Sequence, residues 1–68
     1  MDHSKQFLKI SVLEHTPPIY LAIKHILMYR QDDFNEKSTT ITLVNTRIYT
    51  YPGSVQMFEQ LLKHHFNS

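Results

Sequence analysis

The chain has 68 residues, with seven Lys and Arg against six Asp and Glu, five His, one Gly, and neither Cys nor Trp. One domain is the ceiling at this length, and a chain so short buries only about 60% of its unfolded surface. No disulfide or thiolate–metal staple is available, a large cofactor is hard to enclose, and the near-balanced charge argues against a purely electrostatic nucleic-acid binder.

Apolar residues make up 41% and charged residues 19% of the chain, the balance of a folded domain and not of a disordered one. Residues 1–6 read as a flexible tail without the apolar run that a signal peptide needs. The longest apolar window, residues 19–29, is interrupted by Lys24 and His25 and is far shorter than the roughly 20 residues of a membrane span. A cytoplasmic protein is expected, or one of a host cytoplasm if a phage encodes it, with no membrane partner.

In chain order, residues 7–13 alternate: Leu8, Ile10 and Val12 point one way, Lys9 and Ser11 the other. That is a half-buried strand. Pro17 and Pro18 carry no amide hydrogen, so residues 14–18 are expected to end it. Residues 19–23 alternate again. A helix over residues 19–29 competes, but Leu21, Ile23, Lys24, Ile26 and Leu27 do not form one stripe. A strand at 19–23, a turn at Lys24-His25 and a strand at 26–30 are preferred.

Residues 31–38 are polar and read as a loop. Residues 39–44 and 47–51 are rich in Thr, Ile, Val and Tyr, which favour strands, and Asn45-Thr46 reads as a tight two-residue hairpin between them. Thr tolerates positive φ poorly, so that turn is imperfect. Pro52-Gly53-Ser54 closes the hairpin, and Ser54 is a natural helix cap. Val55, Phe58, Leu61, Leu62 and Phe66 then follow helical spacing, with Lys63, His64 and His65 in the last turn. The expected fold is α+β: a small antiparallel sheet of four to five strands with one C-terminal helix packed on one face.

Several of these segments resemble the FlbD family of small flagellar proteins. The matching residues are Ile19-Tyr20-Leu21, Ile23 with Ile26, residues 40–45, Tyr49, and Ser54-Val55. That family usually has Asn-Gly where this chain has Asn45-Thr46, and an acidic helix start where it has Pro52-Gly53. The resemblance implies a cytoplasmic accessory protein and transfers no catalytic motif. The same stretch also resembles the first half of a LytTR DNA-binding domain, which would make the chain a truncated or decoy version.

The five histidines do not make a metal site by spacing. His64 and His65 point about 100° apart on a helix, and His3, His15 and His25 lie on different elements. Asp32, Asp33 and Glu36 do not follow the calcium-loop pattern, and a single glycine cannot build a phosphate-cradling loop. No nucleophile elbow is present. The chain is therefore read as non-enzymatic, with no cofactor and no metal.

Arg30, Arg47, Tyr49 and Tyr51, with Tyr29, are the candidate partner-binding residues. Arg47, Tyr49 and Tyr51 recur with period two and share one strand face, opposite Ile48. Tyr and Arg anchor protein interfaces and also stack on bases; alternatively Tyr49 and Tyr51 pack beneath the helix. A sheet covered on one side by one helix leaves a face and its edges open, and self-association would bury them. The expectation is a small regulatory or adaptor protein that binds another protein and self-associates, with nucleic-acid binding as the alternative.

Overall fold

The structure, a computed structural model, describes residues 6–67. The expected tail lies almost wholly outside the described residues. Five strands and one helix follow in order: β1 (Phe7–Val12), β2 (His15–Ala22), β3 (Ile26–Gln31), β4 (Thr39–Leu43), β5 (Ile48–Tyr51) and α1 (Val55–Asn67). The architecture is α+β. The strands fall into two antiparallel sheets, β1-β2 and β3-β4-β5. A single turn of 3-10 helix, Ile23–His25, carries the chain from one sheet to the other. The Leu13 amide donates to the Thr50 carbonyl at 2.9 Å and holds β1 beside β5.

In the first hairpin Leu8 faces Leu21 and Ile10 faces Ile19. The alternation read from β1 is the observed one, with Leu8, Ile10 and Val12 buried. The prolines correct the expected boundary. β2 begins at His15 and runs straight through Pro17 and Pro18, and the Thr16–Pro17 bond is cis. The register slips between Ile10 and Val12, so the prolines lie at a bulge. There, on a strand paired on one side, a missing amide hydrogen costs little ladder bonding. Residues 19–29 form two strands and a turn; the competing helix does not form.

The second hairpin also departs from the two-residue expectation. The Thr46 amide donates to the Leu43 carbonyl, and the Leu43 amide to the Arg47 carbonyl, both at 2.9 Å. The loop is thus three residues long, 44–46. Thr46 sits at φ 71°, the left-handed position such loops normally give to glycine.

The register assigns two faces to the three-stranded sheet. Tyr29, Ile41 and Tyr49 form one inner row, and Gln31, Thr39 and Tyr51 the next. Met28, Thr42 and Ile48 form an outer row, and Arg30, Thr40 and Thr50 another. The helix covers the inner face. Its Phe58 is wholly buried, edge-on to the Tyr29 ring at 5.0 Å and tilted against Tyr51 at 5.6 Å. Burying such a side chain contributes about 1.5–3 kcal/mol. Leu8, Ile10, Val12, Leu21, Ile41 and Leu43 complete the core, with Leu61 and Leu62 packed against it. Phe66, expected on the same stripe, is instead half exposed, one turn beyond the last packed leucine.

The helix start is as expected: the Ser54 hydroxyl oxygen accepts the Met57 amide at 3.2 Å. Before it, buried Gly53 lies against Tyr51, and a Cβ there would stand 2.5 Å from the tyrosine Cε2. The Thr39 hydroxyl donates to the Gly53 carbonyl at 2.9 Å. The single glycine is thus required by a close approach, with its φ in the ordinary negative range.

Candidate functional site

The four sequence-selected residues do not form one cluster. Arg30 points to the outer face and donates to both Asp33 carboxylate oxygens through its two terminal guanidinium nitrogens, at 2.7 and 3.2 Å. That hydrogen bond, with the cation's charge, holds the Asp33 carboxyl below its ordinary value. Tyr51 packs under α1 against Phe58 and Gly53. Tyr29 also packs on Phe58, and its hydroxyl donates to Glu59 Oε2 at 3.1 Å. Arg47 and Tyr49 do come together: the Arg47 guanidinium donates to the Tyr49 hydroxyl oxygen at 3.3 Å.

That pair belongs to a groove of about 410 Å³. Phe7 and residues 19–22 of β2 line one side; His25, Leu43, Asn45, Arg47 and Tyr49 line the other. The groove exists because the 3-10 turn and the β4–β5 loop meet at one end of the fold, where the Val44 amide donates to the His25 carbonyl at 2.8 Å. Tyr20 is 69% exposed there. Lys24, His25 and Arg47 gather at this end, and none of the groove residues is acidic.

The topology sends four of the five described acids to the other end. Glu14 sits in the β1–β2 turn, and Asp32, Asp33 and Glu36 in the loop between β3 and β4. This loop is held by its own hydrogen bonds. Asp32 Oδ2 accepts the Phe34 amide at 3.0 Å, and Asn35 Oδ1 accepts the Lys37 amide at 2.9 Å. The Asp32 amide donates to the Ser38 carbonyl, and the Ser38 amide to the Asn35 carbonyl, both at 3.0 Å. The Thr40 hydroxyl donates to Asp32 Oδ1 at 2.9 Å. At the loop's tip Phe34 is 98% exposed.

Phe34, Phe7 and Tyr20 were not selected from the sequence. A lone aromatic in the polar run 31–38 was the available signal for Phe34; the groove places Phe7 and Tyr20 beside Arg47 only through tertiary contact. Among the described residues no group of three His, Asp or Glu is placed to hold a metal ion, and no helix is long and apolar enough to cross a membrane. The chain matches no protein-family model, no curated protein and no solved structure.

Proposed function

We propose that this chain is a non-enzymatic interaction module, a small regulator or adaptor that binds another protein and self-associates. The observation that carries the reading is its exposed apolar surface. Among the described residues ten large apolar side chains are exposed and seven are buried. Two of the exposed ones, Met28 at 48% and Ile48 at 55%, flank Thr42 in one row across the outer face of the three-stranded sheet. An uncovered apolar row of this kind suits a protein interface. The test is molar mass against concentration by sedimentation: association that rises with concentration is expected. A wild type that stays monomeric at its highest soluble concentration overturns self-association.

A second reading, a nucleic-acid-binding or decoy module, is favoured by one observation. The end that carries Lys24, His25 and Arg47 holds exposed aromatic rings and no acid lines its groove. Cations interleaved with aromatics suit a single strand. It predicts retardation of an oligonucleotide at low salt that Arg47→Ala abolishes; no retardation removes it.

A further inference from the structure

We propose that the acidic loop between β3 and β4 of one copy inserts into the Arg47 groove of another, with Phe34 filling the groove and Glu36 pairing with Arg47. The inference rests on the self-association reading above and names its contact.

The knob is Phe34. A phenyl ring 98% exposed is unfavourable in water, yet its loop is held rigid by the hydrogen bonds of Asp32 and Asn35 and by the Arg30–Asp33 pair. A loop so held loses little entropy when it binds. Within the loop Asp32 and Asp33 are occupied by partners in their own chain. Glu36, two residues beyond Phe34, is exposed and makes no hydrogen bond or ion pair among the described residues. It is the carboxylate left over for a partner.

The groove complements both features. Its lining offers rings and aliphatic side chains, Phe7, Ile19, Tyr20 and Leu21, for an aromatic insert. At about 410 Å³ it lies within the ~300–1,000 Å³ of pockets that hold small ligands. Arg47 donates one bond to the Tyr49 hydroxyl and faces no carboxylate among the described residues, so its remaining donors can take a carboxylate through two parallel bonds. Knob and groove lie at opposite ends of the fold, as the strand directions require. The β3–β4 loop of one copy therefore cannot reach that copy's own groove. The contact is heterologous, made from two different surfaces, and the acidic end of one copy meets the basic end of the next.

A heterologous contact can be broken from either side and restored by mixing. Phe34→Ala and Glu36→Lys remove the knob; Arg47→Glu removes the groove's cation. All three positions are exposed, and unchanged circular dichroism and thermal midpoints will show that each variant folds. In sedimentation, each variant alone is expected to run as a monomer under conditions where the wild type associates. An equimolar mixture of Phe34→Ala and Arg47→Glu is expected to form a two-chain species, since the first keeps a groove and the second a knob. Association should also weaken as salt rises.

Three outcomes overturn the contact. If the wild type associates and the single variants associate equally, the contact is wrong and self-association stands. If the single variants are monomeric and the mixture is also monomeric, the surfaces are not complementary. If the wild type is monomeric throughout, both proposals fail; retardation of a single-stranded oligonucleotide through Arg47 then assigns the groove to nucleic acid.

Discussion

Glu14 accepts both hydrogens that Thr50 can donate: the amide at 2.7 Å and the hydroxyl at 2.6 Å, across 36 residues of chain. With the Leu13–Thr50 main-chain bond it ties the first hairpin's turn to β5. Burial alone would raise the Glu14 carboxyl, but the hydrogen bonds from the Thr50 hydroxyl and amide outweigh it and hold it below its ordinary value. A carboxyl depressed in the folded state stabilises the fold above its unfolded value, near pH ~4.3, and that stability is lost as pH falls through the folded value. Glu14→Ala is expected to cost about 1 kcal/mol at neutral pH, a loss of about 4–8 °C in a domain this small. Thermal melts from neutral to acidic pH check it: the gap between wild type and variant should narrow as pH falls through the carboxylate range.

Thr46 holds a β-branched side chain at φ 71° in a loop position that favours glycine. Thr46→Gly is expected to stabilise the fold by roughly 1 kcal/mol, because strain at such positions is on the order of 1–3 kcal/mol and glycine's added freedom when unfolded offsets part of the gain. Chemical denaturation should show a higher midpoint at unchanged slope. A lower midpoint would mean that the Thr46 side chain stabilises the loop.

Gly53→Ala acts in the opposite direction. The new methyl group would meet the Tyr51 ring at 2.5 Å, and that ring cannot retreat freely because Phe58 packs against it. Overpacking of this kind costs about 1–3 kcal/mol. The expected result is a clear fall in thermal midpoint, partly restored by Tyr51→Leu, which removes the colliding ring atoms.

Tyr29 donates to Glu59 across the sheet–helix boundary. That hydrogen bond first, then burial and the carboxylate's charge, raise the phenol above its ordinary value. The fold therefore keeps this stabilisation below the unfolded value of about 10 and loses it as pH rises through the folded one. In a spectrophotometric titration one of the four tyrosines should ionise above the ordinary range, and Glu59→Gln should bring it down. A titration that Glu59→Gln leaves unchanged would remove the pair.

The sequence carried the local structure where one period dominated. Leu8, Ile10 and Val12 alternate in β1 as they are spaced, Ser54 caps α1, and Phe58 lies on the buried stripe. The prolines of β2 misled because a missing amide hydrogen breaks a strand only where a neighbour needs it, and neighbours are not written in the local pattern. The candidate residues were legible by type and not by place. Arg47 and Tyr49 meet, whereas Arg30, next to inward-facing Tyr29, turns to the outer face, and Tyr51, on the same face as Tyr49, lies farther along the strand under Phe58 of α1.

Length, composition and periodicity by themselves determined that this chain is a small α+β domain of short strands and one amphipathic helix. Propensity and patterning act over a few residues, so they can be read along the chain. Tertiary structure alone decided that the five strands split into two sheets and that Glu14, Asp32, Asp33 and Glu36 collect opposite Arg47. It also decided that Gly53 must lie under Tyr51, and that Phe34 stands in solvent while Phe58 is enclosed. Each of these depends on which distant segments share a surface, and strand register and packing set that only once the whole chain has folded.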